Sequence, residues 1–246
     1  IDTFSGYGAR SRDFVKTLIK SKDKEWDIKI MPQRWGDCPW DFFPQDDPIR
    51  NRFVYQLKQK PDVWFMITVP NEFQPIGNFN IGISAGIETT QYPGEFLEGM
   101  NRMDLNLVSS KHSKQVALSS QYDKMDKKTN QKIGVIKCEK PIEILFEGLD
   151  LNKYYKKPPK CMDIITSDIL KNVSEEFCFL FTGHWLNGNF GEDRKNTALL
   201  VKTFLETFNG PGTKKPALIL KTNRVNYSLH DREDIIAGIH RIKNQI

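Results

Sequence analysis

The stretch "VWFMITVPNEFQPIGNFNIGISAGIETT", residues 63 to 90, decides the fold. It opens on an apolar run, Val63 to Val69, closed by Pro70. Runs of this kind belong to strands buried on both faces, as in parallel sheets covered by helices. A second strand is expected from Asn80 to Ile87, where small and β-branched residues alternate. The same grammar continues outward. Towards the N-terminus, Ile28 to Met31 reads as a short strand and Phe53, Val54 and Leu57 as part of a helix, while Phe14, Val15, Leu18 and Ile19 recur at helical spacing over Ser11 to Lys20. Towards the C-terminus come a helix over Glu95 to Met103, a strand at Leu105 to Val108, a helix from Ser110, and a strand at Ile142 to Phe146. Strands alternating with helices predict an α/β fold, a parallel sheet with helices on both faces.

Between Asp150 and Asn172 the sequence changes to "DLNKYYKKPPKCMDIITSDILKN", whose paired prolines and lysines suit a linker. The pattern then restarts with "FCFLFTG" as a strand, a helix carrying Leu199 to Phe208, "ALILKT" as a strand, and a helix from Asp231 to about Lys243. The expected organisation is therefore two Rossmann-like doubly wound domains, residues 1–160 and 173–246. The C-terminal one is expected to be truncated, because two strand-helix pairs are too few to close such a domain.

Composition narrows the functional classes. The 246 residues carry a net charge of +5, which suits anionic ligands such as phosphates. A lysine-rich stretch around Lys124, Lys127, Lys128, Lys132 and Lys137 reads as a solvated loop, since Asp123 and Asp126 sit among the lysines and no aromatics are interleaved. Cys38, Cys138, Cys161 and Cys178 show neither metal-ligand spacing nor a disulfide framework, so reduced thiols and no metal site are expected. The lack of an export signal or a long apolar run points to a cytoplasmic protein without a membrane span. Ile1 in place of Met suggests that the natural N-terminus lies upstream.

Several motifs carry chemistry. Gly6-Tyr7-Gly8-Ala9-Arg10-Ser11 sets two glycines ahead of a helix, where backbone N–H groups and the helix terminus favour an anion. It is not a dinucleotide fingerprint: Ser11 stands in place of the third glycine, and Pro32 and Gln33 in place of the acidic residue. It also lacks the Gly-Lys-Ser/Thr of a P-loop. Gly82-Ile83-Ser84-Ala85-Gly86 matches the nucleophile elbow, so an α/β serine hydrolase using Ser84 is a competing reading. Against it, the alternation of Ile81, Ile83, Ala85 and Ile87 runs through Ser84, and Glu88-Thr89-Thr90 is a poor helix start. Glu88 and Thr89 then fall at the carboxyl edge of the sheet, where open α/β folds bind ligands, with Asn71 and Glu72 at a neighbouring strand end. Further on, "FTGHWLNGNFGEDRKN" brings His184, Arg194 and Lys195 to another such edge, where adjacent cations could neutralise a diphosphate.

Taken in order, these segments resemble the group 1 glycosyltransferases, retaining enzymes with two Rossmann-like domains in the GT-B arrangement. The resemblance runs along almost the whole chain. "SGYGARSRDFVKTL" is similar to that family's glycine loop and first helix, "MNRMDLNLVSSKHSKQVAL" to its strand ending in serine before a helix, and "IEILFEGLDLNKYY" to the element before the interdomain linker. "FCFLFTGHWLNGNFGEDRKNTALLVKTFLETF" resembles the start of its donor domain, and the long loops around "GHW" and "DRK" resemble bacteriophage-type members. The chain departs from the pattern at His184, where the family has arginine, at Asn196 in place of glycine, and at Phe146-Glu147 in place of Pro-Asn. The family's glutamate pair would lie beyond Ile246.

The resemblance implies a transferase that moves a sugar from a nucleoside diphosphate to an acceptor with retention, using no cofactor and no bound metal. Fixed cations and backbone donors would stabilise the charge developing on the departing diphosphate. Arg194 and Lys195, with His184 and Lys221, would hold that diphosphate, and Gly6 and Gly8 would present backbone amides to a phosphate or to the acceptor. Glu88 would be the catalytic group orienting the acceptor hydroxyl, with Thr89 and Glu72 beside it. A glycan, a lipid-linked sugar, a protein or a modified DNA base all fit as acceptor. The alternative is a non-catalytic nucleotide- or sugar-binding module.

Overall fold

The computed structural model describes residues 1–246 except 4, 23, 34–41, 127, 153, 157–163, 187–192, 194, 212–213 and 225–227, and except the side chains of 164–166 and 169. The chain divides into two compact units, Ile1–Asp150 and Leu151–Ile246.

The first unit runs α1 (Gly6–Lys22), β1 (Val63–Ile67), β2 (Phe79–Ile83), α2 (Gly94–Asn101), β3 (Leu105–Val108), α3 (Lys111–Ser119), β4 (Gln121–Met125), β5 (Lys132–Lys137) and β6 (Ile142–Ile144). β1, β2, β3 and β6 form one parallel sheet in that order, with Phe65 opposite Ile81, Ile81 opposite Leu105, and Asn106 opposite Ile142. Successive strand residues point to opposite faces. Met66, Val108 and Ile142 face one way, into a core with Phe73, Tyr92, Leu97, Met100 and Val116. Phe65 faces the other way and meets Phe14 of α1, ring centroids 5.2 Å apart. The sheet is thus covered on both sides, which makes this a mixed α/β unit built on a parallel sheet. The reversal of strand order that defines a doubly wound sheet does not occur among these four strands.

Several local expectations are corrected. The segment from Ile28 to Met31 contributes only a single parallel bridge, Ile30 to Phe53. No α-helix forms around Phe53, Val54 and Leu57, where Arg50–Arg52 makes one 3-10 turn. Phe53 instead packs on the buried cluster of Ile30, Phe43 and Ile49, edge-on to Phe43 at 5.7 Å. β2 stops at Ile83, so the apolar alternation through Ile87 is not continuous strand. Gly86, at φ +87°, turns the chain there in a way an L side chain rarely adopts. The last strand stops at Ile144 rather than Phe146. The lysine-rich stretch is not a loop but the antiparallel hairpin β4–β5.

The second unit contains α4 (Ile164–Lys171), β7 (Cys178–His184), α5 (Thr197–Phe208), β8 (Ala217–Asn223) and α6 (Leu229–Lys243). β7 and β8 pair in parallel from Cys178 opposite Ala217 to His184 opposite Asn223. Trp185, Ala198, Val201 and Ile242 are its buried core, with Leu218 and Leu220 against them. α4 occupies part of the stretch read as linker. No helix of the described residues is long and apolar enough to cross a membrane.

Candidate functional site

Four strand ends and the start of α1 meet at the carboxyl edge of the first unit's sheet. Tyr7, Arg10 and Phe14 stand at i, i+3 and i+7, so they share one face of α1. With Phe14 resting on Phe65 of β1, Arg10 reaches the edge. Its Nη1 donates to the Ser84 carbonyl and to Glu147 Oε1, each at 2.8 Å, and its Nη2 donates to the Leu145 carbonyl at 3.0 Å. One guanidinium, 11% exposed, thereby ties α1 to the ends of β2 and β6. The Tyr7 hydroxyl accepts from the Ala85 N–H at 3.2 Å. Burial pushes the Tyr7 phenol up, and the nearby carboxylates of Glu147 and Glu72 act in the same direction, against the Ala85 amide and Arg10.

The glycine segment is the first turn of this helix and not a loop before it. Ser5 caps the turn, its Oγ accepting from the Gly8 N–H at 3.0 Å and its carbonyl from the Ala9 N–H at 3.0 Å. A Cβ on Gly8 would lie 2.3 Å from Thr3 Oγ1 and 2.4 Å from the Thr3 carbonyl oxygen. Gly8 is therefore small for packing, and its amide is already bonded, which corrects its expected role as a phosphate donor. Gly6 is open, with nothing within 4 Å of a Cβ placed there.

At the end of β1 the Thr68 hydroxyl donates to the Glu72 carboxylate. At the end of β2, Ser84 is 2% exposed, its carbonyl is held by Arg10, and its Oγ accepts from the Gly86 N–H at 3.3 Å. The glycines on either side serve packing: a Cβ on Gly82 would meet the Phe73 ring at 2.4 Å, and one on Gly86 would meet Ser113 Oγ at 2.2 Å. The next helix begins only at Gly94. A strand turning directly into a helix beneath an exposed serine, the geometry of a nucleophile elbow, is not what surrounds Ser84.

Residues 85–89 are laced to the start of α3. Ser113 Oγ donates to the Ile87 carbonyl at 3.2 Å and accepts from its N–H at 3.1 Å, Ser109 donates to the Ala85 carbonyl, and His112 Nε2 lies 3.1 Å from the Thr89 carbonyl oxygen. Between loop and helix opens a cleft of about 410 Å³ lined by Ala85, Glu88, Ser109, Ser110 and His112. Glu88 and Thr89 are exposed there, and the Thr89 hydroxyl donates to the Gln91 carbonyl at 3.1 Å. Beneath it Tyr92 is fully buried, its hydroxyl near those of Ser113 and Ser84, and burial pushes its phenol up to about 12.

In the second unit, β7 ends on Gly183 and His184, both partly buried. The stem of Lys195 crosses Gly183, where a Cβ would lie 2.8 Å from Lys195 Cδ, and Lys195 itself is exposed. Asp193 is buried and its carboxylate accepts from the N–H groups of Lys195, at 3.0 Å, and of Thr197. Burial alone would raise the Asp193 carboxyl, but the amides of Lys195, Thr197 and Ala198 outweigh it and hold it below the usual value. The start of α5 is thus already matched by the chain's own carboxylate. Lys221 alternates with the core residues Leu218 and Leu220, so it stands on the sheet face away from α5 and Lys195. That placement corrects the expectation that Lys221 supports Lys195 on one diphosphate. Arg194 lies outside the described residues.

The structure therefore brings Gly6, Gly8, Glu72, Glu88 and Thr89 to one sheet edge, and sets His184 and Lys195 at another strand end in the second unit. Sequence reasoning missed Tyr7, Arg10, Glu147, Ser113 and Asp193. The i, i+3, i+7 spacing of Tyr7, Arg10 and Phe14 would have flagged the first two had the helix been started at Gly6 instead of Ser11. Among the described residues no group of three or more His, Cys, Asp or Glu side chains is placed to hold a metal ion. No family model, curated protein or solved structure matches the chain.

Proposed function

We propose that the chain is a glycosyltransferase, or a large piece of one, that transfers a sugar from a nucleoside-diphosphate sugar to an acceptor with retention. The first unit would be the acceptor-side Rossmann-like domain and the second the beginning of the donor-side one, in the GT-B arrangement. The observation that carries the reading is the carboxyl edge of the parallel sheet, which carries Glu72 after β1, near Tyr7 of α1, and, after β2, the cleft against α3 that Glu88 lines. In the second unit the exposed ammonium of Lys195, steered by its stem across Gly183, would neutralise the diphosphate, a charge-assisted contact suited to a leaving group that gains negative charge.

Calorimetric titration with UDP, GDP and, as an unrelated ligand, NADH tests this. One nucleoside diphosphate is expected to bind, and Lys195→Ala to weaken it by about 1–3 kcal/mol, the scale of a lost hydrogen bond to a charged group. Gly183→Ala should weaken it too, by pushing the Lys195 stem aside. Unchanged affinity in Lys195→Ala removes that residue from the role, and no binding of either nucleotide sinks the transferase reading.

One observation favours a different reading, a non-catalytic nucleotide- or sugar-binding module. Glu88 is exposed, while the hydroxyls of Ser109 and Ser113 beside it are bonded to the loop itself. Nucleotide release from a bound nucleotide sugar separates the two: turnover that falls in Glu88→Gln supports the enzyme, and tight binding without turnover supports the module.

A further inference from the structure

The hairpin β4–β5 is inserted between α3 and β6, and among the described residues only one of its faces packs on the fold. Tyr122 and Ile136 pack against the core of the first unit, and the Tyr122 hydroxyl donates to the Tyr92 carbonyl at 2.6 Å. Strand alternation turns the neighbouring residues outward. Met125, Ile133 and Val135 are 44%, 60% and 45% exposed there. Around them stand Lys128, Lys132 and Lys137, all exposed. Lys132 has an acidic neighbour, Asp123 at 2.6 Å, and Lys124, on the inward side with Tyr122, pairs with Glu98 of α2 at 3.7 Å. Such exposed pairs contribute little and leave the region positive, since residues 121–137 hold five lysines against two aspartates.

We propose that this outer face of β4–β5 docks on an anionic membrane surface. Three aliphatic side chains ringed by lysines fit the boundary of a bilayer, where apolar groups enter the headgroup region and cations meet anionic lipid. The composition separates this partner from an acidic protein. Protein interfaces favour Trp, Tyr and Arg and are poor in Lys, and the Arg fork is the group that matches a carboxylate. This hairpin contains no arginine, and its one aromatic residue, Tyr122, faces the core. Lysines on flexible stems suit a diffuse negative surface, because the stem can lie along apolar groups while the ammonium stays in water. The association is of the surface kind and does not depend on the transferase reading.

The test is co-sedimentation of the full chain with vesicles of phosphatidylcholine alone or mixed with phosphatidylserine. Binding is expected to the mixed vesicles only and to weaken as salt rises. Ile133→Glu with Val135→Glu, and separately Lys128→Glu with Lys137→Glu, should each lower the bound fraction roughly tenfold, whereas Lys16→Glu with Lys20→Glu on α1, the same change of charge, should leave it within about twofold. Circular dichroism checks folding; should the glutamate pair not fold, Ile133→Ser with Val135→Ser replaces it, with a loss of roughly threefold expected. Any of three results overturns the proposal: no preference for the mixed vesicles, equal loss in the α1 control, or full binding by the apolar variants. Capture on soluble polyglutamate without vesicle binding would also overturn it and point to an acidic polypeptide.

Discussion

At Gly86 a single methyl group would meet two obstacles at once. The backbone sits at φ +87°, and a Cβ would fall 2.2 Å from Ser113 Oγ, the atom that bonds both the N–H and the carbonyl of Ile87. Gly86→Ala is therefore expected to destabilise the chain by about 1–3 kcal/mol, read as a shift of the urea midpoint at unchanged slope. A change below about 0.5 kcal/mol would mean that residues 84–88 give way freely, and that the cleft beside Glu88 has no fixed shape. At this scale the candidate site was half legible. Glu72, Glu88 and Thr89 could be placed because their position follows from where a strand ends, which is local information. Arg10 could not, since its partners Ser84 and Leu145 are 74 and 135 residues away along the chain. Ser84 shows the opposite error of a motif: its pattern is that of a nucleophile, but Phe73 and Ser113 account for the glycines that make the pattern.

At the scale of elements, long apolar runs were readable and their ends were not. β1, β3, α2, α3, β7, α5, β8 and α6 stand close to where periodicity puts them, whereas α4 falls in the stretch read as linker. α1 begins five residues early because Ser5 caps it, a stabilisation that outweighs the poor helix propensity of Gly6 and Gly8. The hairpin β4–β5 was hidden by its lysines, which interrupt the apolar alternation without preventing Tyr122 and Ile136 from docking. The capping of α5 was equally hidden, since Asp193 lies outside the helix and reaches back to it. Asp193→Ala should cost about 0.5–2 kcal/mol at neutral pH, the range for a lost cap. The sign of its pH dependence follows from a folded pKa below the unfolded one. The contribution is complete above the ordinary carboxylate range, about pH 4, and is lost as pH falls through the lower folded value. Wild type and Asp193→Ala should accordingly converge in stability below about pH 4, as followed by denaturant titration across pH. A gap that persists into strong acid would mean that Asp193 acts through packing instead.

Taken as a whole, the described residues hold two parallel sheets of unequal security, besides the antiparallel hairpin β4–β5. In the first unit, β2 and β3 each have a strand on both sides, β2 is buried on both faces from Asn80 to Ile83, and β3 buries Asn106 and Val108. In the second, the described sheet consists of β7 and β8 alone, covered by α5 and α6 on the Leu218 and Leu220 face. Its other face carries Leu180 at 69% exposed, with Cys178 also exposed. Two-stranded sheets are marginal, and parallel strands ordinarily need cover on both sides. Hydrogen exchange should therefore be faster at the amides of β7 and β8 than at those of β2 and β3, by roughly one to two orders of magnitude. Leu180→Lys should change stability by no more than about 0.5 kcal/mol, because little is buried there to lose, whereas Val201→Ala in the core should cost about 1–3 kcal/mol. The two variants decide what that face does in solution. If Leu180→Lys costs as much as Val201→Ala, and sedimentation shows a dimer that the variant dissociates, then a second copy covers β7 and β8. If Leu180→Lys is neutral and slow exchange is confined to the first unit, the face is open to solvent and the stability of the second unit rests on α5 and α6 alone.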